Sequence, residues 1–446
     1  MKTPICDFVR EYQKNNPLRL HVPGHKGKEI IGAEPFDITE IDGADVLYHA
    51  DGIIGESEKN AAKIFGSKRT LYSTEGSSLA IRAMVYLACL DAREKGRMPK
   101  VLAARNAHKT FISAAALLNV EVEWILSLSD SIISCDIDMR ECEEILKKGE
   151  VTALYVTSPD YLGNLADIEG LSKLCKKYGV LLLVDNAHGA YLKFMPRSLH
   201  PLDLGADLCC DSAHKTLSVL TGGAYLHIAK NTPDLLAENA PQALSLFAST
   251  SPSYLILQSL DKENEGLSNG FSEKLCALAD KLLSLKDRLS KLGYELVGNE
   301  PLKLTIYAKG YGYTGTELAK LLKNENIICE FYDPDFTVMM LSEQISGEDA
   351  ERLFKALSGI QRRDRITSRP PKLSAPIMKM SPHDALMSTG KLVSVDEAEG
   401  KILASLAVTC PPAIPIAVLG EEISASAVEC FKYYGMTSCR VVDENK

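Results

Sequence analysis

A lysine, an aspartate and a glycine-serine turn are the residues whose types and spacing could do chemistry. Lys215 follows the strand-like run ADLCCD in the segment DSAHKTLSVLTGG. A lysine at a strand end faces the carboxyl edge, the usual ligand crevice of an open α/β sheet, where its amine can attack a carbonyl. A solvated loop lysine is the plainer alternative. Of the three His-Lys dipeptides, His25-Lys26, His108-Lys109 and His214-Lys215, only the last has such a strand before it. Asp185 closes the apolar run VLLLVD and is followed by Asn186-Ala187-His188-Gly189. A carboxylate held there can pair with a protonated ring nitrogen, a charge-assisted contact of about 1.5–3 kcal/mol; it can also simply cap a helix at a βα turn. Thr74-Glu75-Gly76-Ser77-Ser78 precedes an apolar helical run over 79–90. Small residues and hydroxyls at a helix start leave backbone N–H groups and a positive dipole end for a phosphate, although any capped helix could begin this way.

The elements that must position these residues are legible as alternation. From residue 100 onward, short aliphatic runs over 100–104, 121–125, 152–157, 180–185, 207–211 and 224–228 alternate with helical stretches such as 168–178, which Gly179 would cap. That pattern specifies a mostly parallel sheet with helices on its faces. Residues 1–60 show little periodicity before a helix over 56–65 and are expected to form an N-terminal arm. The large cofactor domain is placed at 61–290, and a long helix over about 264–292 leads out of it. A small α/β domain at 291–361 would contain strands over 294–297, 302–307, 327–332 and 337–341 and helices over 316–323 and 347–357. The basic linker RRDRITSRPPK opens a C-terminal unit at 362–446.

Bulk properties exclude several functions. A formal net charge of -9 over 446 residues gives no global basic field for nucleic acid. Twelve cysteines without a C-x-x-C favour reduced thiols, and no secretory signal is visible at the N-terminus, so a cytoplasmic protein is expected. The charge-free stretches 239–260 and 402–420 carry prolines that argue against membrane spans. Nine histidines without H-E-x-x-H or His-Cys spacing give no reason to expect a metal, and Walker-type and dinucleotide glycine patterns are absent.

Phosphate seat, aspartate and lysine occur in the order used by pyridoxal 5′-phosphate enzymes. The strings LHVPGHKGK, FDITEIDGADVLYHADGII, TEGSS, RNAHKTF, TSPDYLGNLADI, VDNAHGAYL, DSAHKTL, STSPSYLILQSLD and PPAIPIAVLGE follow one another along the chain. From about Leu20 to about Glu422 the sequence resembles the ornithine/lysine/arginine decarboxylases in their short Gram-positive-type form. The resemblance implies a fold-type I large domain of the aspartate-aminotransferase kind, with a mostly parallel sheet, a small α/β domain and a short C-terminal domain.

It implies pyridoxal phosphate bonded to Lys215, with Asp185 on the ring nitrogen, His108 stacked on the ring and His188 supporting the site. Gly76, Ser77, Ser78, Ser212 and His214 would surround the phosphate; Thr250 and Ser251 would reach a neighbouring subunit's cofactor in a homodimer with shared sites. The expected reaction is decarboxylation of arginine, lysine or ornithine to agmatine, cadaverine or putrescine in polyamine metabolism. His25, Asp45 and Glu421 are candidates for the substrate side, and a surface acid is the plain alternative for the last two. His108 could instead begin a helix.

The chain departs from its relatives at Cys410, Ala413 and Leu419, where Tyr, Gly and Pro are usual, at Gly222 in place of Gln, and at Asp160 in place of Thr. It also lacks the receiver-like wing domain of the large inducible enzymes. These changes fall on the substrate side rather than on Lys215 and Asp185. Another lyase or an aminotransferase on the same cofactor is the alternative reading, and a non-catalytic relative that regulates polyamine enzymes is a third.

Overall fold

Short apolar or alternating runs become strands, and among the described residues this happens seven times before residue 230. The computed structural model describes residues 1–127, 131–134, 136–406, 413–443 and, for backbone alone, 409–410. Its first strands are β1 (Arg69–Ser73), β2 (Lys100–Ala104), β3 (Glu121–Ile125), β4 (Ala153–Thr157), β5 (Leu181–Asp185), β6 (Leu208–Asp211) and β7 (Ala224–Ile228). The chain divides into two compact units, Met1–Met98 with Ile168–Cys276, and Pro99–Asp167 with Ala277–Lys446.

In the first unit β1, β7, β6 and β5 lie side by side in that order. β5 and β6 are parallel, with Asp185 opposite Cys210, while β7 runs antiparallel to β6 and β1. All five residues of β5 are buried, the pattern of a strand covered on both faces. The helix Gly76–Glu94 packs on β7 and β6. Its Leu79, Met84 and Leu87 are fully buried, each contributing about 1.5–3 kcal/mol by leaving water. The helix Ile168–Tyr178 ends at Gly179, whose φ of +66° is the left-handed geometry expected of its cap.

The N-terminal stretch is more structured than its sequence suggests. Pro4–Lys14 is a helix tied to the Tyr254–Leu267 helix by Ile5 and Cys6 amides that both donate to Asp261.

In the second unit β4, β2 and β3 are parallel neighbours. The parallel pairs β5–β6, β2–β4 and β2–β3 therefore outnumber the antiparallel β1–β7 and β6–β7, in keeping with the expected mostly parallel α/β architecture. A four-stranded antiparallel sheet follows, built from β8 (Glu295–Val297), β9 (Lys303–Tyr307), β10 (Phe331–Tyr332) and β11 (Phe336–Met340) in the order β10-β11-β9-β8. Its helices Gly315–Asn324 and Gly347–Ser358 each start with a capping box, Thr314 with Glu317 and Ser346 with Asp349. Near the C-terminus Gly390–Ser394 pairs antiparallel with Ser438–Val442 over a core that includes Leu403, Ile416, Ile423, Phe431 and Val441.

Several expectations are corrected. The single helix over 264–292 is two, Tyr254–Leu267 and Phe271–Lys291, parted before Gly270 at φ +73°. The strand over 327–332 shrinks to Phe331–Tyr332, and β1 was not anticipated. Among the described residues no helix is long and apolar enough to cross a membrane.

Candidate active site

β5 and β6 deliver the chemistry of the first unit from adjacent strand ends. Asp185 is the last residue of β5 and is 2% exposed. Its Oδ1 accepts the Ala187 amide at 3.2 Å and the Cys210 thiol at 3.7 Å. Burial, with the Asp185 charge beside it, pushes the Cys210 thiol well up, so it keeps the proton it donates. Lys215 lies in a single helical turn, Ala213–Thr216, just past β6. Its Nζ is 2.9 Å from Nε2 of His188, a residue 4% exposed in the turn that follows β5.

The helix Gly76–Glu94 begins beside these groups in the same unit. Its N-cap residue makes no side-chain cap bond, and a helix start of this kind presents a positive dipole end that suits an anion. Gly76 has a φ of +72° and open space where a Cβ would stand. Ser212 Oγ donates to Ser77 Oγ at 2.8 Å, joining the β6 end to the helix start. Ser78 is half-buried on the same turn, and His214 Nδ1 lies 3.0 Å from the Gly223 carbonyl. The Gly76 amide donates to the Gly222 carbonyl at 2.7 Å. Gly222 itself has a φ of +101° and a backbone approach to Thr74 that would put a Cβ 2.8 Å from its carbonyl oxygen, so in this backbone the position requires Gly. Thr250 and Ser251 are exposed in a loop that the Ser249 amide ties to Glu75 Oε1 at 2.7 Å, next to that helix start.

Lys215, Asp185, His188, Gly76, Ser77, Ser78, Ser212, His214, Thr250 and Ser251 therefore all belong to one unit. His108 belongs to the other, where its Nδ1 accepts the Thr110 amide at 3.2 Å and caps the helix Lys109–Leu117.

The substrate-side candidates are engaged locally. Asp45 accepts the amides of Val46, Gly52, Ile54 and Gly55, capping the helix Ile53–Phe65. His25 pairs with Asp37 at 3.2 Å. Glu421 is 2% exposed, and it accepts Arg105 Nη2 at 2.9 Å and the Val418 amide at 2.8 Å. Asp160, another departure, organises its own loop by accepting the Ser134 hydroxyl and the Leu162 and Asn164 amides. Of the altered C-terminal motif, Pro411 and Pro412 lie outside the described residues.

One cluster was not anticipated. Asp211, which ends β6, is fully buried and accepts from Asn186 Nδ2 at 2.7 Å, His200 Nε2 at 3.0 Å and His227 Nε2 at 3.1 Å. The possible sequence signal was a second aspartate closing an apolar strand, the feature that marked Asp185. Among the described residues His200, Cys209 and Asp211 form the group of metal-ligand types within reach of one another. However, His200 Nδ1 accepts the Leu202 amide at 3.4 Å, which leaves the ring proton on Nε2 as a donor to Asp211 rather than a lone pair for a metal.

Comparison with known proteins identifies the family of the chain. Residues 3–292 match the model of the Orn/Lys/Arg decarboxylase major domain, and residues 369–440 match that family's C-terminal domain. The arginine decarboxylase of Bacillus subtilis (strain 168) is 29% identical over 95% of this chain and 91% of its own. An arginine decarboxylase of Bacillus anthracis is 29% identical over 96% of this chain and 92% of its own. Among solved structures, lysine decarboxylase A of Pseudomonas aeruginosa superposes with a TM-score of 0.82 at 17% identity, covering 99% of this chain and 80% of that one. The E. coli constitutive lysine decarboxylase gives 0.79 at 17%, over 99% and 82%. The chain belongs to the Orn/Lys/Arg decarboxylase family and is an amino-acid decarboxylase of the fold-type I class.

Proposed function

We propose that the enzyme removes carbon dioxide from arginine, lysine or ornithine, using pyridoxal phosphate, to give agmatine, cadaverine or putrescine for polyamine metabolism. Arginine is the first candidate, because the Bacillus relatives matched over nearly the whole chain carry that activity in their names. The observation that carries the reading is Lys215 Nζ at 2.9 Å from His188 Nε2, in the unit that also buries Asp185 at the end of β5.

The residues present fit the cofactor. The uncapped helix start with open space at Gly76 suits the phosphate, the buried carboxylate of Asp185 suits a ring N–H, and Lys215 offers the amine. The exposed Thr250–Ser251 loop would reach the cofactor of a second copy. When bound, pyridoxal phosphate supplies an aldehyde that captures amines and a ring that accepts electrons.

The chain's own residues then do three things. His188 Nε2 takes a proton from Lys215 Nζ, leaving the amine able to act as a nucleophile. Asp185, oriented by the Ala187 amide and the Cys210 thiol, would hold the proton on the ring nitrogen as the carboxylate partner of that N–H. Lys215 or His188 returns a proton to Cα of the product after the carboxylate leaves. Asp185, Asn186, His188 and Ser212 are each at most 4% exposed, which keeps water from the floor on which a charged carboxylate becomes neutral carbon dioxide.

A homodimer with shared sites is part of the proposal. Leu18, Leu20, Val22, Ile30 and Ile31 are 66–86% exposed in the stretch between the first two helices, an apolar surface suited to a second copy. The ten cysteines described in the structure are all free thiols, which supports a cytoplasmic location.

The test is carbon dioxide release from the three amino acids in parallel. Release from one or more is expected, with arginine first. Cofactor binding without release from any would favour a lyase or aminotransferase instead.

A further inference from the structure

Asp211 and its partners lie behind the proposed site and have no part in the reaction as derived above. The carboxylate is completely buried, and its Oδ2 receives both His200 and His227 while Oδ1 receives Asn186. Burial alone would raise this carboxyl, but the two imidazoles outweigh it and hold the group well below the usual carboxylate range. Burial lowers the His227 imidazole from its ordinary value, although Asp211 pulls it the other way. The Nδ1 atom of that ring meets Thr70 Oγ1 at 2.8 Å, and Thr70 in turn meets Ser67 Oγ at 2.8 Å. His200 donates from Nε2 because its Nδ1 accepts Leu202. Three N–H donors thus converge on one anion in a dry interior, where hydrogen bonds to a charged acceptor are strong and directional.

What this anion holds is Asn186. A carboxylate only accepts, so the Asn186 amide must turn its Nδ2 toward Asp211. The Asn186 backbone is fixed as well, its N–H donating to the Cys210 carbonyl at 3.0 Å and its carbonyl accepting the Gly189 amide at 2.8 Å. Asn186 sits between Asp185 and His188, and Asp211 itself immediately precedes Ser212. One buried carboxylate therefore ties the end of β5 to the end of β6.

We propose that Asp211, clamped by His200 and His227, is a positioning residue that fixes Asn186 and through it aims Asp185 and His188 at the cofactor carried on Lys215. The proposal rests on the pyridoxal phosphate reading above. A displacement of about 1 Å at a reacting group can cost on the order of 100-fold in rate, so loss of the tether should reduce turnover far more than substrate affinity.

The experiment uses the holoenzyme and the variants Asn186→Ala, His200→Leu and His200→Gln. It compares the visible circular dichroism of bound cofactor, the cofactor dissociation constant, and kcat and KM. The expected result for Asn186→Ala and His200→Leu is a folded protein with an altered visible dichroism band, weaker cofactor binding and kcat reduced about 10- to 100-fold at nearly constant KM. His200→Gln, which keeps an N–H donor, should recover most of the wild-type band and turnover. Folded Asn186→Ala with the wild-type band, affinity and kcat would overturn the positioning role alone. Equal losses in His200→Leu and His200→Gln would also overturn it. A wild-type protein that develops no visible band with added pyridoxal phosphate would overturn the cofactor reading, and this proposal with it.

Discussion

Lys215 Nζ and His188 Nε2 are 2.9 Å apart although the two residues come from different strand ends. That separation is a hydrogen bond in which one nitrogen must supply the proton and the other the lone pair. It gives the lysine a partner able to hold its proton while the amine reacts. We predict that Lys215→Ala abolishes the borohydride-sensitive yellow colour and all turnover. His188→Ala should retain bound cofactor but lose about 10²- to 10⁴-fold in kcat, the usual scale of general acid–base assistance. Absorbance before and after borohydride, alongside steady-state rates, separates the two. Colour and borohydride sensitivity that persist in Lys215→Ala would show that another residue carries the cofactor.

Asp185 gives the second prediction. Its Oδ1 is engaged by Ala187 and Cys210, which sets the plane of the carboxylate at the strand end. Replacement by Ala removes a charge-assisted contact of about 1.5–3 kcal/mol, equivalent to roughly 10- to 100-fold in rate if realised only during reaction. Asp185→Ala should therefore still bind pyridoxal phosphate through Lys215 while its kcat falls by at least that factor. Near-normal turnover would mean that the ring nitrogen faces another group.

The contrast between Asp185 and Asp211 shows what the sequence could convey. Both aspartates close fully buried strands, and the sheet period makes such residues conspicuous. Their roles diverge because of residues far along the chain: His200 and His227 converge on one, whereas backbone and a thiol meet the other. Nothing local in LCCDS announces two histidines. The same limit explains Asp45 and Glu421. As sequence they are acids in suggestive motifs, but the fold uses Asp45 as a helix cap and buries Glu421 against Arg105. β1 escaped notice because Arg69 and Thr70 break its apolar run and its pairing with β7 is antiparallel, outside the alternation that revealed the other strands. The long helix over 264–292 had the right period on both sides of Ser268–Gly270, and periodicity alone does not register a break that preserves phase.

Ala413 yields a third prediction. It has a φ of +74°, the left-handed region that costs a residue with a Cβ about 1–2 kcal/mol. Its carbonyl accepts the Lys109 amide at 2.9 Å, at the start of the helix that His108 caps, so the backbone is not free to relax. Ala413→Gly should raise stability by about 0.5–1 kcal/mol after the greater freedom of glycine in the unfolded chain is subtracted. Thermal or denaturant unfolding measures this directly. A loss of stability would show that the Ala methyl group makes packing contacts worth more than the strain.

Glu58 gives a prediction in pH. It is 6% exposed, its carboxylate accepts the Tyr72 amide at 2.9 Å, and burial raises its pKa from 4.5 to about 7. The folded protein therefore binds a proton more tightly than the unfolded chain. The resulting stabilisation is complete below about pH 4.5, declines as pH rises toward 7 and is gone above it. At ~1.4 kcal/mol per pKa unit the swing is on the order of 3 kcal/mol. Glu58→Gln keeps the acceptor for Tyr72 but cannot ionise, so it should lack this slope. Measured against wild type, its free energy of unfolding should increase steadily, the variant gaining relative stability, from pH 4.5 to about 7 and then stay level. A difference between the two proteins that does not change with pH would mean that Glu58 ionises in the folded protein much as it does in water, with some unrecognised cation offsetting its burial.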